Sequence, residues 1–190
     1  SVDKEFNRVT FWKVVWFGID HRNRTKKSQW SLSSLAGTIE PIYIAGPRIT
    51  PNFDYFKKWD NERYIDTYTK ISVGILNGDI KGSTRIRYLY DPFKQSTVFV
   101  RFREDFDLVR QQDAFSQIFL RDNFIETTRL EGGHYTELLN GLYLNTELEF
   151  NERRSIEDYR FVTILDSAIN NTLPPEFKTY QALLFKARLE

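Results

Sequence analysis

The stretch NGLYLNTELEFNERRS, residues 140–155, alternates strictly through its middle: Leu142, Leu144, Thr146, Leu148 and Phe150 fall on one side of an extended chain, and Tyr143, Asn145, Glu147 and Glu149 on the other. A period of two is the signature of a β-strand with one half-buried face. The apolar side can be covered by a protein core, a bound ligand or membrane hydrocarbon, and periodicity alone does not choose among them.

The same alternation recurs on both sides of this stretch. Between Tyr64 and Leu76, Ile65, Ile71, Val73 and Ile75 oppose Asp66, Lys70 and Ser72. STRIRYLYD then sets Ile86, Tyr88 and Tyr90 against Arg85 and Arg87, and Asp91-Pro92 breaks the strand. STVFVRFREDF resumes with Val98, Val100, Phe102 and Phe106 opposite Arg101, Arg103, Asp105 and Asp107. A hairpin that keeps both apolar sets together must pair residues of like parity, for example Arg87 with Arg101 and Arg85 with Arg103. The last strand sets Leu183, Phe185, Ala187 and Leu189 against Leu184, Lys186, Arg188 and Glu190.

Other segments read less cleanly. Ala114, Phe115, Ile118 and Phe119 recur at helical spacing, which predicts one short amphipathic helix over 110–121. Weak alternation over 126–136 with Gly132-Gly133 predicts a bulged or bent strand, and YRFVTIL reads as a short strand. FWKVVWFGI fits a strand or a buried helical turn. HRNRTKKSQW reads as a basic connector and GPRITPNFDYFKKWDNER as a long loop. The fold class is all-β, an antiparallel meander with that one helix.

Composition narrows the functional classes. A formal net charge of +1 removes the overall positive field of a nonspecific nucleic-acid binder, so no nucleic-acid partner is expected. With no cysteine there is no disulfide framework, thiolate zinc site or cysteine nucleophile. The chain lacks methionine and opens SVDKEF, so residues 1–190 are expected to be a single β-rich region from within a longer protein. No run of about 18 apolar residues suits a transmembrane helix, whereas barrel strands need only about 9–11 residues, half of them polar.

The search for chemistry finds little. His21 and His134 have no metal-site spacing to a second ligand, so no metal and no cofactor are expected. No phosphate-binding loop, dinucleotide-binding glycine motif, GxSxG or HExxH occurs. Glu147 with Glu149, and Asp105 with Asp107, are paired carboxylates of the kind glycosidases use, but ion pairing with the arginine face is the better reading. No catalytic residue and no enzyme activity are expected. The HRNRTKK run beside Trp30 reads as a solvated turn before it reads as a phosphate contact.

Several short matches carry a resemblance: Asn140-Gly141-Leu142-Tyr143 and Glu152-Arg153-Arg154, Arg22-Asn23 before Lys26-Lys27, Arg87-Tyr88 with Tyr90-Asp91-Pro92, and Tyr180-Gln181-Ala182-Leu183. Together, from about residue 8 to 190, the chain resembles an uncharacterised domain-of-unknown-function family of Bacteroidetes envelope proteins. In that family a carboxypeptidase-regulatory-like domain precedes a β-rich outer-membrane barrel region. The resemblance implies a bacterial outer-membrane location, lipid and other envelope proteins as partners, and a role in envelope assembly, transport or anchoring; it supplies no site residues.

Two readings follow. As a membrane barrel segment, Ile71, Val73, Ile75, Val98, Val100, Phe102, Leu142, Leu144, Leu148, Phe150, Leu183, Phe185 and Leu189 face lipid. Arg85, Arg87, Arg101 and Arg103 then line a wet lumen, neutralised by Glu147 and Glu149 or forming a path for anions. As a soluble β-barrel or sandwich, the same apolar residues turn inward around a core or a hydrophobic ligand.

Overall fold

A computed structural model describes residues 2–41, 44–110, 120–163 and 171–190. After a short helix α1 (Val2–Phe6) and a π-turn (Lys13–Phe17) come β1 (Ile19–Asn23), β2 (Ser28–Leu32), β3 (Ile39–Glu40), β4 (Arg48–Ile49), β5 (Asn52–Lys58) and β6 (Tyr64–Gly74). The longer strands β7 (Ile80–Asp91), β8 (Ser96–Leu108), β9 (Phe124–Leu139), β10 (Leu142–Arg154) and β11 (Tyr180–Leu189) follow. One sheet contains them all, in the order β1-β2-β5-β6-β7-β8-β9-β10-β11, with β3 and β4 appended beside β6. Every pairing is antiparallel. The sheet is open: β1 pairs only with β2, and β11 only with β10. The architecture is the all-β antiparallel meander that the alternation predicts.

The N-terminal third departs from the sequence reading. The basic connector is a β1–β2 hairpin, in which Asn23 Oδ1 accepts a 2.9 Å hydrogen bond from the Lys26 amide and Lys27 takes a left-handed conformation at φ 48°. The long loop is β4 and β5. Its prolines, Pro47 and Pro51, precede those strands, where a missing N–H costs no ladder bond. Conversely Arg160–Thr163 is not a strand. The helix predicted over 110–121 falls on residues 111–119, outside the described residues.

β9 is a regular sixteen-residue strand, in register with β8 throughout. Gly132-Gly133 is therefore no bulge, and the second glycine has a steric reason. A Cβ on Gly133 would lie 2.4 Å from Cζ of Phe99, its partner on β8, and 2.9 Å from the Thr146 carbonyl. Gly133→Ala should destabilise the protein by about 1–3 kcal/mol through overpacking. A shifted urea midpoint, partly restored by a second change Phe99→Leu, checks it.

Register sets the faces. Val98 stands opposite Tyr88 and His134, Val100 opposite Ile86 and Gly132, and Phe102 opposite Thr84 and Leu130. Leu130 meets Phe150, which meets Leu183, and Leu148 meets Phe185. One apolar surface thus runs from β6 to β11, and it is exposed: Leu148 and Val100 are 52% accessible and Phe185 70%. The opposite face is polar and better covered, with Ser72, Glu131, Glu149 and Asn151 buried. Among the described residues the buried apolar side chains are Ala45, Phe106, Ile125 and Ile156, outnumbered by buried polar ones. Burial along this sheet is the reverse of the water-soluble pattern, in which apolar side chains supply the interior.

The small apolar core lies where β6, β7 and β8 meet the connections around residues 44–51 and 155–161. Phe106 shares the parity of Val98, Val100 and Phe102 yet is buried, because Ala45, Ile156 and Tyr159 pack around it. Arg48, fully buried, donates to Ser72 Oγ (2.7 Å) and to the Ser72 carbonyl (3.1 Å), and pairs with Asp79 at 2.9 Å. Lys81 pairs with Glu126, and its ammonium lies 4.4 Å from the Phe106 ring centre. The Tyr159 hydroxyl donates to Glu126 at 3.3 Å. Burial pushes the Tyr159 phenol above its ordinary pKa against the opposing pull of Lys81, so it remains a donor throughout the neutral range.

Connections differ between the two ends of the sheet. At one end the turns are short: residues 24–27, 59–63, 92–95 and 140–141. At the other, the links over 33–51, 109–123 and 155–179 are long, and only 75–79 is short. Aromatic side chains gather toward the short-turn end, with Trp59 against Tyr88 (6.0 Å) and Tyr90 stacked on His134 (5.8 Å).

Candidate functional site: the polar face

β6 to β11 project alternate side chains onto the polar face, and chemistry-bearing groups concentrate there because the opposite parity is aliphatic. The hairpin keeps the predicted parity with its register moved by two residues. Arg85 faces Arg101, Arg87 faces Phe99 and Arg103 faces Ser83, with an irregularity between Leu89 and Asp91 where the strand enters the turn. Arg85, Arg87, Arg101 and Arg103 share this face and are each about half exposed.

Their counter-charges are partly the ones predicted: Asp105 and Asp107 pair with this face, whereas Glu147 and Glu149 do not reach these four arginines. Asp66 on β6 takes Arg85 (3.3 Å) and Arg87 (3.0 Å), Glu131 on β9 takes Arg101 (2.9 Å), and Asp107 takes Arg103 (2.6 Å). Glu147 and Glu149 lie two strands from β8, too far across the sheet to reach these arginines. Both pair instead with Lys186 of the neighbouring β11, at 2.9 and 2.6 Å, and Glu149 also approaches Arg129 at 3.4 Å. The registers Glu147↔Lys186 and Glu131↔Glu149 account for this.

Glu131, Glu147 and Glu149 bring carboxylate oxygens within 4.8 Å of one another, the one group of described side chains that could hold a metal ion. Arg101, Arg129 and Lys186 already supply three cations to these three carboxylates. A divalent ion would have to displace them, so the donor set fits an internal ion-pair network rather than a metal centre.

Sequence reasoning missed Asp66, Arg129, Glu131 and Lys186 as partners of this face. Parity was a usable signal for all four, but the double glycine obscured it for Arg129 and Glu131. Neither histidine joins the polar network: His21 stacks on Trp30 at 5.4 Å and His134 meets the Tyr90 hydroxyl at 2.6 Å. Asp105 and Asp107 engage Arg103, at 3.9 and 2.6 Å, as structural ion pairs.

In the 59–63 turn, a hydrogen bond from the Lys27 ammonium holds the fully exposed Asp60 carboxyl below its ordinary pKa. Solvent screens that pair, and it carries little energy.

Comparison with curated proteins gives no match, and none is found among solved structures. A family model does match: that of the C-terminal domain of a family of unknown function, DUF5686, covers residues 12–190, and the chain belongs to that family.

Proposed function

We propose that this chain is part of a bacterial outer-membrane β-barrel, its apolar face in contact with lipid and its charged face lining a wet interior. Its role would lie in envelope assembly, transport or the anchoring of partner proteins, in the Bacteroidetes envelope that the sequence resemblance implies. The observation that carries the reading is the reversed burial. Apolar side chains from β6 to β11 stay exposed as one surface, while the carboxylates Glu131 and Glu149 between the same strands are buried and ion-paired to half-exposed cations. Soluble monomers rarely expose a contiguous apolar surface of this kind to water; in hydrocarbon it is the favourable side.

Three further observations support it. Strands β6 to β11 have 11, 12, 13, 16, 13 and 10 residues, against the roughly 9–11 a tilted strand needs to cross a bilayer. Short turns at one end and longer links at the other are the asymmetry of outer-membrane barrels. Trp59, Tyr88 and Tyr90 mark one rim, as interfacial aromatics do. A soluble sandwich needs a second layer over the apolar face, and among the described residues Leu148, Val100 and Phe185 remain uncovered.

Partitioning of the full-length protein tests this. It should remain with membranes through a carbonate wash, require detergent for release and migrate as a heat-modifiable β-rich band. Release into the aqueous phase as a monodisperse species without detergent would overturn the reading.

A further inference from the structure

Like charges directly opposite on neighbouring strands destabilise a sheet, yet β7, β8 and β9 set two such pairs side by side. Arg85 faces Arg101, and Arg103 faces Arg129. These four side chains, with Tyr68 and Glu131, surround one hollow of about 260 Å³ on the polar face. Tyr68 is itself the cross-strand partner of Arg85. The lining presents four guanidiniums and one carboxylate.

Each of these arginines has a carboxylate partner, but the pairing engages few of their N–H donors: Arg85, Arg101 and Arg103 each donate one hydrogen bond to a carboxylate. Asp66 is divided between Arg85 and Arg87, Glu131 between Arg101 at 2.9 Å and Arg129 at 3.8 Å, and Asp107 between Arg103 at 2.6 Å and Arg129 at 3.9 Å, with Asp105 at 3.9 Å from Arg103. Among the described residues, the nearest carboxylate to Arg129 is Glu149 at 3.4 Å. A guanidinium carries five N–H donors in a planar fork, and Arg129 approaches its three carboxylates only at 3.4–3.9 Å. Forks arriving from three adjacent strands suit an anion with several oxygens pointing in different directions. A carboxylate is flat and singly charged, whereas a phosphate group is tetrahedral and carries close to two charges.

We propose that this hollow is a binding site for a phosphate group, with Arg85, Arg101, Arg103 and Arg129 as its donors and Tyr68 along its wall. The proposal rests on the polar face being wet, as in the barrel reading. The same chemistry is offered by a soluble phosphate compound and by a phosphorylated lipid headgroup.

Calorimetric titration of the full-length protein in detergent, at low salt, with inorganic pyrophosphate and separately with phosphatidate-containing mixed micelles, tests the site. Saturable binding of either probe is expected, weakened at least tenfold in Arg101→Gln/Arg103→Gln and unchanged in Lys94→Gln, which removes a charge from the 92–95 turn. Circular dichroism establishes that the double variant is folded, and Arg101→Lys, which keeps charge but loses the fork, should bind with intermediate affinity. Binding of pyrophosphate assigns the site to soluble phosphate compounds; binding of phosphatidate alone assigns it to a headgroup. No saturable binding by the folded wild type, or equal binding by the folded double variant, overturns the proposal. A protein that binds pyrophosphate through these arginines yet is soluble without detergent keeps the site and removes the membrane reading. One that inserts and does not bind removes the site alone.

Discussion

Leu148→Arg should reduce membrane assembly by about thirtyfold to a thousandfold, the equivalent of about 2–4 kcal/mol for a cation on the lipid face near the bilayer midplane. Leu148 sits mid-strand in β10, between Gly132 of β9 and Phe185 of β11, on the exposed apolar surface. At an exposed position in water the same change is worth about 0.5 kcal/mol or less. The two media therefore give opposite expectations for one substitution. Glu147→Arg, the adjacent residue on the polar face, should cost far less, because it meets Lys186 across a wet and screened surface. Band-shift assembly assays in liposomes read both variants on one scale. Equal effects would mean that the two faces of β10 meet the same medium.

The second large effect belongs to the buried charges. Lys81→Ala should destabilise the protein by about 3–5 kcal/mol, since it leaves Glu126 buried without its cation. Lys81→Met with Glu126→Leu should recover most of that loss. Both charges then leave together, and the apolar replacements pack against the rings of Phe106 and Tyr159, which flank the Lys81 ammonium at 4.4 and 5.1 Å. Urea unfolding of both variants measures it. A loss below about 1 kcal/mol for Lys81→Ala would mean that water or another cation reaches Glu126.

How far the sequence went is clear from individual elements. β6, β7, β8, β10 and β11 were legible because each alternates aliphatic or aromatic residues against polar or charged ones. Twelve of the thirteen residues assigned to the apolar side lie in β6, β8, β10 and β11 with one parity in each, and the registers bring those parities onto one face; Ile75 falls just past β6, in the 75–79 turn. β5 was hidden by the prolines ahead of it, and β1 by the basic residues of its turn. The arginine face was legible by parity; its partners were not. A two-residue change of register leaves every side chain on its own face but exchanges the cross-strand neighbours, and strand order, which no local pattern encodes, sets β10 beside β11 and β6 beside β7, so Glu147 and Glu149 meet Lys186 and Asp66 meets the arginines. The Lys81–Glu126 pair joins residues 45 apart on β7 and β9, two strands that are not sheet neighbours, and no local pattern encodes that.

The central claim is that alternate residues of β10 meet lipid and water. The protein has no cysteine, so single cysteines placed in turn at positions 142 to 150 can each carry a fluorescent label in liposome-inserted full-length protein. Labels at 142, 144, 146, 148 and 150 should be quenched by a lipid-soluble quencher, and those at 143, 145, 147 and 149 by a water-soluble one. The same response at even and odd positions, or no insertion at all, would contradict the placement of the apolar face in the membrane.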